Sequence, residues 1–262
     1  MTHAIEILEL TRTFGTLRAV DGLSMTVERG TFFGFLGPNG AGKSTTIHML
    51  TGLLKVTSGS ATLLGYDIVK DPVEVKRRIG VVPEELALFD RLTGREYLTF
   101  VGRMYGMDSK QIQSRGEELL DLMELAGDQS KLIVDYSHGM KKKLALSAAL
   151  IHEPELLFLD EPFEGIDAIA SRMIKQILGI LIGRGVTIFL TSHILEIVER
   201  LCTDVAIIHR GKLVAQGSME TLRQGVELEG DPSVKGTRTL EEIFLTIIGT
   251  GDRPERTLSW LE

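Results

Sequence analysis

The sequence of 262 residues is poor in several features that mark particular classes of protein. Its single cysteine, Cys202, cannot form a disulfide within the chain, so a reducing compartment such as the cytosol is expected. No apolar run approaches the roughly 18–20 residues that a membrane-spanning helix needs. The first ten residues lack the basic and apolar regions of a signal peptide. We therefore expect that the chain neither crosses a membrane by itself nor is secreted.

Positive charge is also scarce. The chain has 29 lysines and arginines against 36 acidic residues, a formal net charge of −7. Because binding to a phosphate backbone usually needs a basic surface, no nucleic-acid partner is expected. The content of 43% hydrophobic and 25% charged residues is ordinary for a globular protein with a sizeable core. No internal repeat, heptad pattern or low-complexity tract is present.

Short runs typical of β-strands alternate with helical patterns, which indicates an α/β protein. Strands are predicted at 5–10, 23–27 and 31–36. From 93 to 126 the apolar residues follow helical spacing almost throughout. This stretch predicts a helical subdomain inserted into the α/β core.

The C-terminal part of the sequence has a different character. Residues 227–238 are polar and contain glycine and proline, so they are predicted to form a loop. Thr239 and Glu242 then have the spacing of a capping box, which predicts a short helix at about 240–248. Three units are predicted: a main domain at 1–217, the inserted helical subdomain at about 85–135, and a C-terminal appendage at 218–262.

A phosphate-binding loop is the most specific motif. The buried-strand run at 32–36 leads directly into Gly-Pro-Asn-Gly-Ala-Gly-Lys-Ser-Thr, which matches G-x-x-x-x-G-K-[ST] with a strand before it. Glycines allow backbone N–H groups to surround phosphates, and the following helix presents its positive end. Lys43 would reach the β- and γ-phosphates, and the Ser44 hydroxyl would bind Mg²⁺. The predicted nucleotide-binding residues here are Gly37, Pro38, Asn39, Gly40, Ala41, Gly42, Lys43, Ser44 and Thr45.

Two carboxylates follow the apolar run 156–159. A buried strand that ends in acidic residues places them at the carboxyl edge of the sheet, where ligands bind in open α/β sheets. Asp160 suits a Mg²⁺ ligand of the Walker B type, and Glu161 suits the general base that activates water. Another apolar strand, at 186–190, leads to His193, whose imidazole could contact the γ-phosphate or hold Glu161 in place. A histidine at a strand end can also be an ordinary surface residue.

These motifs, in this order, resemble those of the ABC ATPase family. The resemblance covers roughly residues 4–217. It implies a P-loop NTPase fold of the ABC ATPase type, with a RecA-like α/β core, an antiparallel β subdomain and an inserted helical subdomain. It also implies ATP and Mg²⁺ as cofactors.

The sequence at 136–140, Tyr-Ser-His-Gly-Met, stands where the family has its LSGGQ signature. Ser137 and Gly139 match, and the other three positions depart in the manner of bacterial export-type members. Ser137 is predicted to cap the following helix, whose N-terminus would face an anion. In the family, two such domains pack head to tail, so Ser137 and Gly139 are expected to act on ATP held by another copy. A homodimer and a heterodimer both remain open.

Three further positions match the family less closely. Phe14 lies where members carry an aromatic ring that stacks on adenine, although it could also be a core residue. Asp167 matches the D-loop, whereas Glu164 replaces a small polar residue there; Asp167 could also simply cap the next helix. Glu84 replaces the usual glutamine that contacts Mg²⁺ and the membrane partner. It could bind the metal or only relay motion.

The resemblance implies the ATP-binding and ATP-hydrolysing subunit of an ABC transporter. It would drive transport, in the export direction, through an integral membrane subunit on another chain, and would lie at the cytoplasmic face of the membrane. The segment 240–245 is similar to one in export-type ATPases that pair with ABC-2-like membrane proteins. The alternative is a soluble ABC-type ATPase outside transport, but the tandem domains or long coiled coils of those members are missing. A non-catalytic regulator is disfavoured because all four residues of the predicted machinery are present: Lys43, Asp160, Glu161 and His193.

Overall fold

Two β-sheets form the framework of the chain. The computed structural model describes residues 3–225 and 239–248; the loop predicted at 227–238 lies outside these residues. The strands are β1 (His3–Phe14), β2 (Leu17–Glu28), β3 (Phe32–Leu36), β4 (Ser58–Leu63), β5 (Tyr66–Asp67), β6 (Ile79–Val82), β7 (Leu156–Asp160), β8 (Thr187–Ser192), β9 (Asp204–His209) and β10 (Lys212–Ser218). The helices are α1 (Lys43–Leu50), α2 (Pro72–Arg78), α3 (Gly94–Met104), α4 (Ser109–Leu122), α5 (His138–Leu150), α6 (Ala168–Gly183), α7 (Leu195–Leu201), α8 (Met219–Gly225) and α9 (Leu240–Ile248).

The larger sheet brings three motif-bearing strands together. Its order is β10-β9-β3-β8-β7-β6, and every pair is parallel except β10–β9. Strand β8 lies between β3 and β7, with Leu36 opposite Ser192 and Asp160 opposite Thr191. All residues of β3, β7 and β8 are buried, as expected for a parallel sheet covered on both faces. The carboxyl ends of the three strands therefore meet at one edge.

The smaller sheet is antiparallel, with the order β2-β1-β4-β5. Its long strands β1 and β2 extend well beyond the predicted apolar runs, because backbone pairing also includes outer parts that are mostly half-buried or exposed. The smaller of two hydrophobic cores in the described residues lies between this sheet and one face of the larger sheet. In this core the Phe189 ring packs against three other rings, with centroid distances of 5.6 Å to Phe33, 5.3 Å to Phe35 and 5.4 Å to Phe158.

The helical region predicted at 93–126 is present as α3 and α4. Thr93 and Glu96 form a capping box at the start of α3, and the Asp108 side chain caps α4. The two helices pack closely, since a Cβ at Gly102 would lie 2.7 Å from the Ile112 side chain. Both helices are thus confirmed, while the division of the chain into domains stays a prediction.

The C-terminal helix α9 is fixed to the main body. The predicted capping box is formed: the Thr239 N–H donates to the Glu242 carboxylate at 2.9 Å, and the Glu242 N–H donates to the Thr239 hydroxyl at 3.3 Å. Leu240 and Ile243 are fully buried in the larger hydrophobic core. Among the residues described, no helix has both the length and the apolar character needed to span a membrane.

Candidate functional site

The loop between β3 and α1 has the geometry of a phosphate cradle. Gly42 adopts a left-handed conformation (φ 108°), and a Cβ there would lie 2.5 Å from the Ala19 carbonyl oxygen, so only glycine fits. Helix α1 begins at the next residue, Lys43, and points its positive end into the loop. The Lys43 ammonium is buried and donates a hydrogen bond to the Gly37 carbonyl oxygen at 2.8 Å. The other predicted positions lie around this loop: Ala41 is buried, Pro38, Ser44 and Thr45 are half-buried, and Asn39 and Gly40 are exposed.

Glu161 connects the loop to the histidine at the end of β8. Its carboxylate is buried, with one oxygen 4.0 Å from the Lys43 ammonium and the other 3.1 Å from Nδ1 of His193. The backbone N–H of His193 also donates to that second oxygen, at 3.3 Å. Glu161 itself has a left-handed conformation (φ 46°), which is uncommon for a residue with a side chain. The three predicted residues therefore form one connected group.

Asp160 lies beside this group at the end of β7 and is almost completely buried. The Thr191 hydroxyl donates a hydrogen bond to its carboxylate. Within the described residues, no group of three or more His, Cys, Asp or Glu side chains could hold a metal ion. Mg²⁺ in nucleotide sites, however, is usually held by one or two carboxylates together with phosphates and water. The Asp160 carboxylate and the Ser44 hydroxyl supply donors of this type.

The signature residues lie at the start of α5. Ser137 caps this helix as predicted, since its side chain accepts a hydrogen bond from the Met140 N–H at 3.2 Å. Gly139, on the first turn, is half-buried, and a Cβ there would have no neighbour closer than 4.0 Å. In the described part of the chain, neither residue is hydrogen-bonded to Lys43, Asp160 or Glu161, so within one chain the structure does not bring them into the group.

Phe14 stands at the end of β1 and is 44% exposed, so the alternative of a core residue is wrong. The Arg12 guanidinium lies 4.5 Å from its ring centroid. Arg12 is itself held by a hydrogen bond to the Lys55 carbonyl oxygen at 2.9 Å. The ring is thus fixed from one side, and its exposed area leaves room for a stacked base.

Two predicted positions make no hydrogen bond or ion pair with this group in the described part of the chain. Glu84 is exposed on the loop that follows β6, next to β7 in the sheet. Asp167 is exposed and caps α6, accepting a hydrogen bond from the Ala170 N–H at 2.8 Å. Asp167 therefore caps α6, and this does not prevent a second role in the D-loop.

Sequence reasoning missed Thr191 and Lys142. Thr191 is fully buried, and its hydroxyl contacts both the Asp160 carboxylate and the Glu161 N–H. Lys142 is 3% exposed and donates to the Glu161 carbonyl oxygen at 2.7 Å. Helical spacing offered a signal for Lys142, because it shares a face of α5 with the buried residues Ala145 and Ala149.

Comparison with known proteins identifies the family. A model of the family described as "ABC transporter" matches residues 20–164, more than half of the chain. This chain belongs to the ABC transporter family. It is an ATP-binding subunit, which confirms the function predicted from the motifs. The matched residues include 37–45, Ser137, Gly139, Asp160 and Glu161, whereas Phe14, Asp167 and His193 lie outside them.

The relatives of this ABC subunit agree with that assignment. It is 40% identical over 238 residues to a linearmycin resistance ATP-binding protein of Bacillus subtilis, covering 90% of this chain and 76% of the relative. It is 37% identical over 225 residues to a daunorubicin/doxorubicin resistance ATP-binding protein of Streptomyces peucetius, covering 86% and 68%. A solved structure of an ATP-binding subunit of an ABC transporter superposes with a TM-score of 0.85 at 29% identity, covering 94% of this chain and 100% of that one. The ABC ATPase fold is thereby confirmed.

Proposed function

We propose that this ABC subunit hydrolyses ATP with Mg²⁺ and so drives export through an integral membrane subunit on another chain. The observation that carries the proposal is the connected group Lys43–Glu161–His193, with Asp160 beside it at the same sheet edge. Three strand ends bring a buried lysine and two buried carboxylates to this edge, and a nucleotide phosphate with its metal ion would complement these charges.

Each residue has a distinct part in the proposed reaction. Lys43 moves from the Gly37 carbonyl to the β- and γ-phosphates and neutralises their charge. Ser44 and Asp160 would hold Mg²⁺, which would supply charge stabilisation at the phosphates. Glu161 accepts a proton from the attacking water, while His193 holds the Glu161 carboxylate in place through the 3.1 Å contact. Glu84, which is exposed on the loop after β6, would assist as a metal ligand or as a relay.

Hydrolysis is proposed to need a second ATP-binding subunit. Ser137 and Gly139 stand at the exposed N-terminus of α5, where a hydroxyl, backbone N–H groups and the helix dipole can meet an anion. They would close on ATP held by the Lys43 loop of the partner, with Phe14 stacked on the adenine and Asp167 at the contact between the copies. A homodimer and a heterodimer both satisfy this arrangement.

The relatives support export, and an exposed apolar surface supports docking on a membrane subunit. The relatives named above are resistance proteins for linearmycin and for daunorubicin and doxorubicin. In the proposed helical subdomain at about 85–135, Phe89, Phe100 and Met104 are 52%, 41% and 73% exposed. An apolar surface of this kind suits the cytoplasmic end of a membrane subunit, which would place the chain on the inner face of the membrane.

The test has two parts. The purified chain should release phosphate from ATP in a manner that requires Mg²⁺, and Glu161→Gln should remove this activity. The chain, tagged in its own cell, should also be purified together with an integral membrane protein. Parental activity in Glu161→Gln would refute the assignment of the base, and purification without a membrane protein would favour an ATPase outside transport.

A further inference from the structure

Lys142 is a buried lysine in the second turn of α5. Only 3% of its surface is exposed, and lysine is almost never so deeply buried unless its ammonium has a fixed partner. The neighbouring lysines behave differently: Lys141 pairs with Asp90 at 3.5 Å, and Lys143 pairs with Glu124 at 3.4 Å, in both cases with exposed carboxylates. The helix therefore turns one lysine of the run 141–143 inward, toward the nucleotide side of the sheet.

The partner of Lys142 is the main chain of Glu161. The ammonium donates to the Glu161 carbonyl oxygen at 2.7 Å, while the Glu161 N–H donates to the Thr191 hydroxyl at 3.2 Å. Hydrogen bonds at its N–H and at its carbonyl oxygen thus hold Glu161 in a left-handed conformation. A non-glycine residue adopts this conformation only at a cost in free energy. Because the backbone conformation decides where the side chain points, these two contacts aim the Glu161 carboxylate.

Lys142 is also influenced by the charges of nearby carboxylates. Two of them, Glu164 and Glu84, replace neutral residues of the family pattern. Burial lowers the pKa of Lys142, and the surrounding carboxylates oppose this by favouring the charged ammonium. In decreasing order of influence they are Glu164, Glu161, Glu84 and Asp160. The ammonium therefore offsets the added negative charge of Glu164 and Glu84 beside a site for an anionic nucleotide.

A second contact joins α5 to the same segment. The His138 ring lies 3.0 Å from the position that a Cβ on Gly165 would occupy. Gly165 has φ 69°, so the segment 161–165 curves back onto the start of α5. Helix α5 thus contacts this segment at its first residue and at Lys142.

We propose that Lys142 is a positioning residue for ATP hydrolysis, which fixes the main chain of Glu161 from the helix that begins at Ser137. The inference rests on the proposed function, because Lys142 acts through Glu161 as the base. It deepens that function by connecting the signature helix to the base within one chain. ATP held by a partner copy and contacted by Ser137 would then be sensed at Glu161 through α5.

The test compares three variants of the full-length chain. Lys142→Met keeps the apolar stem and removes the donor, Lys142→Gln keeps an N–H donor without charge, and Lys143→Met is the matched control on the same helix. Phosphate release gives kcat with MgATP, and titration with a non-hydrolysable ATP analogue gives Kd. Misplacing a reacting group by about 1 Å costs roughly a hundredfold, so Lys142→Met should lower kcat by about ten- to a hundredfold with Kd changed by less than about twofold.

The outcomes distinguish the positioning role of Lys142 from the proposed ATP hydrolysis itself. Lys142→Gln should lose clearly less activity than Lys142→Met, and Lys143→Met should match the parent. An unchanged kcat in Lys142→Met, a parallel loss of kcat and affinity, or equal losses for Met and Gln would overturn the positioning role. If Lys142→Met does not fold, Lys142→Gln decides: a lowered kcat with Kd changed by less than about twofold supports the role, and a kcat equal to that of the parent overturns it. A parent chain that releases no phosphate would instead refute the proposed function.

Discussion

Replacing Thr191 with valine removes one hydroxyl from the most buried part of the site while keeping the shape of the side chain. The hydroxyl donates to the Asp160 carboxylate, a hydrogen bond to a charged group that is worth about 1.5–3 kcal/mol. Its second contact, with the Glu161 N–H, is partly replaced, because that N–H also donates to the Thr191 carbonyl oxygen at 3.3 Å. The free energy of unfolding should therefore fall by about 2–3 kcal/mol.

Thr187→Val is the matched control on the same strand. Thr187 is 1% exposed, and its hydroxyl accepts a hydrogen bond from the Gly30 N–H at 2.9 Å, so only a neutral bond is lost, worth about 1 kcal/mol. Because Thr187 stands at the opposite end of β8, it should not affect kcat. Thr191→Val, in contrast, should reduce activity or the apparent affinity for Mg²⁺ by about ten- to a hundredfold, since it releases a proposed metal ligand.

Urea unfolding followed by circular dichroism gives the stability, and phosphate release at increasing Mg²⁺ gives the activity. Equal losses of stability in the two variants, together with an unchanged Mg²⁺ dependence in Thr191→Val, would refute the role assigned to the Thr191–Asp160 contact. Loss of stability alone would leave Thr191 as an ordinary core residue.

Three further predictions concern the nucleotide. Glu161→Gln should lower kcat by about a hundredfold or more and should accumulate an ATP-bound dimer in size-exclusion chromatography, whereas a monomer saturated with ATP would contradict the shared site. Lys43→Ala should abolish ATP binding, because it removes the buried ammonium that donates to the Gly37 carbonyl oxygen inside the loop; unchanged affinity in a titration would refute the cradle. Phe14→Ala should weaken ATP binding by about fivefold, the value of one aromatic stack of about 1 kcal/mol, and Phe14→Tyr should restore it; equal affinities would argue against stacking.

The nucleotide loop and the acidic strand end were predictable because their chemistry is local. The loop at 37–45 needs glycines and a lysine in a fixed order, and the left-handed Gly42 shows why that order cannot vary freely. Asp160 and Glu161 follow a run of four apolar residues, which is enough to place them at a sheet edge.

Other features depended on contacts between distant segments. Three consecutive lysines look alike in the sequence, yet only Lys142 meets a carbonyl oxygen 19 residues away. Thr191 stands two residues before the predicted histidine, but its role follows from the pairing of β7 with β8. For Phe14, the exposure of the ring at the end of β1 excluded the core alternative.

The sequence by itself determined that this chain has an α/β fold with a phosphate loop, an acidic strand end and a histidine beyond a third strand. These are properties of short segments, and hydrophobic pattern and backbone chemistry specify them locally. Only the tertiary structure decided that β8 lies between β3 and β7 and that Lys43, Glu161 and His193 meet. Strand order and side-chain contacts arise from the packing of the whole core, and no single segment contains that information.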